Sequence, residues 1–104
     1  MTPRLTFRPA ARVEILDARR WYEGQLTGLG RAFIAELEAT LAFVRLHPRM
    51  YVAVVPDGAV RRALLHRFPY AIVYEILPAG DLVVLACKHV RQEDVDWQAS
   101  RPDV

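Results

Sequence analysis

The residues best suited to chemistry are cations in the second half of the chain: Arg61, Arg62, Arg67, Lys88, His89 and Arg91. Guanidinium groups grip phosphate or carboxylate in a forked geometry and stabilise charge that develops during phosphoryl transfer. The competing reading is a solvated sheet face, with these cations paired to Glu36, Glu38 or Glu75. Arg61 and Arg62 are neighbours on a predicted strand, so they point to opposite faces and at most one serves any single site. His66 and His89 lie on predicted strands expected to be close, each beside basic residues. His47 precedes Pro48 at the end of a predicted helix, where a cation suits the dipole.

Other reaction classes lack their signatures. There is no Gly-rich phosphate loop, no metal-spaced His/Cys cluster and no nucleophile elbow. Thr27, Thr40 and Ser100 offer no convincing seat for serine-type catalysis. Cys87 is the single cysteine, which removes an internal disulfide, and its apolar run Leu82–Cys87 suits a buried thiol. No cofactor and no metal are expected.

The chain has 104 residues, 53% hydrophobic and 25% charged, which fits one folded domain over 1–104. Net charge is only +2, which argues against a nucleic-acid coat protein, yet 13 of its 14 Lys and Arg residues are Arg. No run approaches the roughly 20 apolar residues that span a bilayer. Met1–Leu5 leads into folded-looking sequence without a signal-type apolar region, so a cytoplasmic protein is expected.

The elements that would position the cations follow from periodicity. Leu5–Arg8 reads as a strand, and Pro9 suits the first turn of a helix. Ala11, Ile15, Ala18, Tyr22 and Leu26 then form one apolar stripe. Gly28-Leu29-Gly30 breaks the helix, and a second runs from about Arg31 to Leu46, with Phe33, Leu37, Leu41 and Val44 as its stripe. Strands are expected at Tyr51–Val55, Val60–Arg67, Tyr70–Leu77 and Leu82–His89. The short turns between them make that part of the sheet antiparallel. The fold class is α+β, a helical hairpin packed on a small antiparallel sheet, with a polar tail from about Arg91 to Val104.

Two strands are apolar on both faces: in Tyr70–Leu77, Tyr70, Ile72, Tyr74 and Ile76 point one way and Ala71, Val73 and Leu77 the other, and Leu82–Cys87 is apolar on both faces too. Two helices cover only one face. The other needs the C-terminal tail, a second subunit or a foreign chain, and Ala71 and Val73 become candidate partner-binding residues. Trp21 and Tyr22 are about 100° apart on their helix, so one faces the core and the other is a candidate anchor for a partner. Trp97 is expected to pack the tail onto the body and joins the partner-binding set.

Taken in order, these features resemble the RelE/ParE superfamily of type II toxin–antitoxin modules, often described as plasmid stabilisation proteins. The resemblance runs from about Leu5 to Arg101. It rests on Phe7-Arg8-Pro9-Ala10, Trp21-Tyr22-Glu23 and Gly28-Leu29-Gly30-Arg31-Ala32-Phe33. His47-Pro48, Tyr51, Val60-Arg61-Arg62, Arg67-Phe68-Pro69-Tyr70 and Tyr74-Glu75 follow, then Lys88-His89, Arg91, Trp97 and Arg101. It implies a growth-inhibiting toxin and a cognate antitoxin that wraps it. The Trp-Tyr-Glu helix, the Arg-Phe-Pro-Tyr corner and the scarcity of lysine look ParE-like, which implies action on DNA gyrase by binding. The alternative is a RelE-like endoribonuclease acting on mRNA in the ribosome. There Arg61 or Arg62, Arg67, Lys88 and Arg91 would hold the phosphate, and His89 would move the proton. A third reading is a degenerate domain that binds an antitoxin without toxicity.

Overall fold

The computed structural model describes residues 2–91 and Arg101. β1 (Leu5–Phe7) passes through extended Arg8 into α1 (Pro9–Gln25), whose first-turn proline lacks only an N–H that would go unpaired. α1 buries Ala11, Ile15, Ala18 and Tyr22, most of the predicted stripe, while Leu26 lies beyond the helix end and is exposed. α2 (Leu29–Leu46) buries Phe33, Leu37, Leu41 and Val44. It starts two residues before the predicted Arg31 because Glu23 supports its first turn. The Glu23 carboxylate accepts the N–H of Gly28 at 3.0 Å and that of Gly30 at 3.0 Å. Amides at this position otherwise lack a partner within the helix.

Gly28 itself adopts φ +92°, a conformation glycine enters without steric cost. Gly30 answers a different demand. A Cβ there would lie 2.8 Å from the carbonyl oxygen of Arg19, so the helices meet through this missing side chain.

β2 (Val52–Ala53), β3 (Val60–Leu64), β4 (Tyr70–Ile76) and β5 (Leu82–His89) complete a sheet in the order β1-β5-β4-β3-β2. β2 to β5 pair antiparallel, as their short turns demand, while β1 joins β5 in parallel at the edge. β2 is shorter than the predicted Tyr51–Val55. β3 ends at Leu64 rather than Arg67, because Glu36 of α2 takes the N–H groups of His66 and Arg67 away from any ladder. His66 therefore sits in the corner before β4 and not beside His89.

A bulge skips Leu85 in the β4–β5 register, where Val73 faces Ala86 and Tyr74 faces Val84. Leu82, Val84 and Cys87 consequently point to the helices, and Val83, Leu85 and Ala86 to the opposite face. That opposite face is not open at the residues expected to need a foreign cover. Ala71 is 0% exposed and Val73 1%, both inside the chain's own packing. The C-terminal tail reaches this face at Arg101, whose Nε and Nη2 donate to Glu75 Oε1 and Oε2 at 3.0 and 3.1 Å. Trp97 lies outside the described residues.

Candidate functional site

Of the cations singled out by the sequence, Lys88, His89 and Arg91 come together with the Trp21-Tyr22 pair. β5 carries the cations to its C-terminal end, and α1 crosses the same end with its aromatic pair. The 100° step between helical neighbours separates their roles: Tyr22 is 8% exposed and Trp21 58%. Tyr22 packs in an aromatic cluster, with ring centroids 5.4 Å from Phe33 and 4.7 Å from Phe68. Trp21 stands edge-on to Tyr22 at 5.1 Å and forms an outer wall.

Between α1 and the sheet end lies a groove of about 580 Å³ lined by Trp21, Tyr22, Pro69, Tyr70, His89 and Arg91. A second hollow of about 290 Å³ shares Trp21, Tyr70 and His89 and continues toward Glu14 and Lys88. The His89 ring lies 5.5 Å from that of Tyr70. Its Nδ1 accepts the N–H of Arg91 at 3.2 Å, which leaves the proton of a neutral imidazole on Nε2. Burial raises the hydroxyl pKa of Tyr70 and of Tyr22, keeping both protonated at neutral pH.

Glu14 is a member of this site that the sequence analysis did not single out. Its Oε1 accepts the N–H of Cys87 at 2.9 Å, and its Oε2 pairs with the Lys88 ammonium. The carboxylate thus stands where β1 has ended and β5 would otherwise present a bare edge. One signal marked it: Glu14 falls three residues after Ala11 and one before Ile15, on the shoulder of the apolar stripe. Burial pushes the Cys87 thiol up to about 12, helped by the Glu14 charge, so it takes no part in nucleophilic chemistry near neutrality.

The remaining cations are placed elsewhere. Arg61 is on β3 and holds three carbonyls: Nε donates to Gly58 at 3.0 Å, and Nη1 to Arg49 and Tyr51 at 2.8 and 2.9 Å. Arg62 faces the other side of the sheet, opposite Val73. Arg67 is exposed at the β3–β4 corner, its guanidinium 5.5 Å from the Phe68 ring. The six nominated cations therefore do not form one centre. Among the described residues no group of His, Cys, Asp and Glu is arranged to hold a metal ion, and no helix is long and apolar enough to cross a membrane.

The α+β fold of a helical hairpin on a five-stranded sheet is shared with a solved structure. A solved chain described as a chromosomal ParDE toxin–antitoxin system from P. aeruginosa superposes with a TM-score of 0.71 at 12% identity, covering 85% of this chain and 96% of that one. The family model for the ParE toxin of type II toxin–antitoxin systems, parDE, matches residues 5–94, and the chain belongs to that family. Among curated proteins no sequence match was found.

Proposed function

We propose that this ParE-family toxin arrests growth by binding its target, that the target is DNA gyrase, and that a cognate antitoxin neutralises it in the cytoplasm. Membership of the ParE family over residues 5–94 carries the reading. The placement of the cations supports binding over catalysis. Arg61 is engaged with backbone carbonyls, Lys88 with Glu14, and His89 Nδ1 with a backbone N–H. What remains accessible is a recognition groove, with an aromatic wall at Trp21 and a cation at Arg91. Such a surface suits a protein anchor residue, where Trp and Arg contribute most.

The test is gyrase supercoiling in the presence of purified toxin, with and without the protein encoded by the neighbouring reading frame. Inhibited supercoiling or trapped cleavage complexes, relieved by the neighbour's product, is the expected result. Toxin that stops growth yet leaves gyrase untouched, while producing codon-phased cuts in ribosome-bound mRNA, overturns the reading in favour of an endoribonuclease.

A further inference from the structure

The end of α2 and the sheet edge beside it form an apolar face that the fold leaves uncovered. Five of the ten large apolar residues left exposed among the described residues gather there: Phe43, Leu46, Met50, Val52 and Leu64. Phe43 and Leu46 continue one side of α2 from Ala39, at intervals of four and three. Val52 and Leu64 stand on β2 and β3, at the edge of the sheet opposite β1. Between helix and edge lies a hollow of about 470 Å³, with Thr40, Phe43, Met50, Tyr51 and Leu64 in its wall.

The chemistry of this face narrows its occupant. Its charged groups are already engaged: Glu36, at the inner end of the hollow, accepts the N–H groups of His66 and Arg67, and Arg45 donates to the carbonyl of Pro3. A nucleic acid or a charged helix therefore finds little to pair with. The outer strand β2 is only two residues long, which gives an extended peptide little edge to join. What the face does match is itself. Met50, 69% exposed, is a flexible apolar knob at the rim of the hollow. A two-fold axis passing beside it sets each Met50 against the hollow of the other copy, because such an axis uses one patch twice.

The size is sufficient. At about 200 Å² for a large side chain, exposures of 45% to 69% leave roughly 500–600 Å² of apolar surface on each copy. Two copies together reach the roughly 1,000 Å² of a specific interface before any polar rim is counted.

We infer that a second copy of this chain docks on the face formed by the end of α2 and the β2–β3 edge, each Met50 entering the hollow of the other. The inference does not rest on the toxin–antitoxin reading. The groove at Trp21 and Arg91 shares no lining residue with this face, so the dimer offers two such grooves at once. Arg49 follows Pro48 beside Met50 and brings like charges to the rim, so pairing of copies should hold or tighten as salt is raised.

The experiment is sedimentation velocity of the full chain alone, up to about 200 µM, in low and high salt. It compares the native chain with Met50→Glu, Leu46→Glu, Met50→Leu and, as an equally exposed apolar control on the other side of the hairpin loop, Leu26→Glu, each checked for native circular dichroism. Expected is a dimer with a dissociation constant on the order of 10 µM, weakened about tenfold or more by Met50→Glu and by Leu46→Glu. Met50→Leu, which keeps volume and polarity, should stay within about threefold, and Leu26→Glu within about twofold. A dimer untouched by both folded glutamate variants, weakened as much by Leu26→Glu, or dissociated by salt overturns this face as the interface. A chain that stays monomeric overturns the inference outright. If that monomer binds the product of the neighbouring reading frame and Met50→Glu does not, the face belongs to that partner instead.

Discussion

Replacing Arg61 by Met separates a structural cation from a catalytic one. The guanidinium makes three hydrogen bonds to the carbonyls of Gly58, Arg49 and Tyr51, at 3.0, 2.8 and 2.9 Å, and so ties down the connection between α2 and β3. Hydrogen bonds from a charged donor contribute about 1.5–3 kcal/mol each when buried. Two of these three are only part-buried and one is exposed, and water replaces part of what is lost. The expected net destabilisation is therefore about 2–3 kcal/mol, less than the sum of three bonds. For a domain of this size that lowers Tm by roughly 10–20 °C. Urea unfolding followed by circular dichroism measures it, and Arg61→Lys, which can reach fewer of the carbonyls, recovers only part of the difference. Growth arrest by Arg61→Met should persist at a temperature where the variant is folded. A change below about 0.5 kcal/mol, or a fully folded variant that has lost toxicity, refutes the structural assignment.

Three further outcomes follow from the geometry. Gly30→Ala drives a Cβ to 2.8 Å from Arg19 O and should cost about 1–2 kcal/mol in urea unfolding despite the better helix propensity of alanine; equal or greater stability shows that the hairpin tolerates opening. Glu23 is held below its ordinary pKa of 4.5, first by the N–H of Gly28 and then by that of Gly30. Its contribution is therefore complete above that value and is lost as pH falls through the lowered one, so the stability gap between native and Glu23→Gln should be full at pH 7 and shrink below pH 4.5. A gap that stays constant across urea midpoints from neutral to acid pH contradicts this. Cys87, 1% exposed with its thiol pushed up to about 12, should stay unlabelled by an aromatic disulfide reagent in the folded chain and react at once in denaturant. Rapid labelling of the native protein would show that β5 opens at this point.

The elements were legible where one physical rule dominates. The stripes on α1 and α2 appear in the structure nearly as spaced, because burying an apolar face outweighs every local preference along a helix. The strands β4 and β5 were legible for the same reason, since their apolar runs leave no alternative to burial on both faces. The ends of β2 and β3 were not. β3 stops at Leu64 because of a carboxylate 30 residues away, and no local pattern around His66 announces Glu36. The parallel pairing of β1 with β5 joins residues 77 apart, as in the register of Leu5 with Leu82, and nothing in either strand encodes it. The site was half legible. Trp21 and Tyr22 followed from helix geometry, but which cations meet them depended on where the β4–β5 bulge turned the end of β5.

The cations attracted attention in the sequence, yet three carboxylates organise the fold. Glu14, Glu23 and Glu36 each accept backbone N–H groups from another element: Cys87 at the edge of β5, Gly28 and Gly30 at the start of α2, His66 and Arg67 at the β3–β4 corner. Two of them occupy equivalent places. Glu14 follows Ala11 by three and precedes Ile15 by one, and Glu36 follows Phe33 by three and precedes Leu37 by one. A charged residue on the shoulder of a core-facing stripe must either turn to solvent or meet a donor at the rim of the core. Backbone amides at a strand edge or a corner are the donors that an α+β fold leaves there. An acid three residues into an apolar helical stripe therefore marks where a helix grips the end of a sheet. In this chain the pairing of Glu14 with Lys88 also fixes that cation in the hollow beside the groove at the end of β5, and Arg91 is the cation that lines the groove itself.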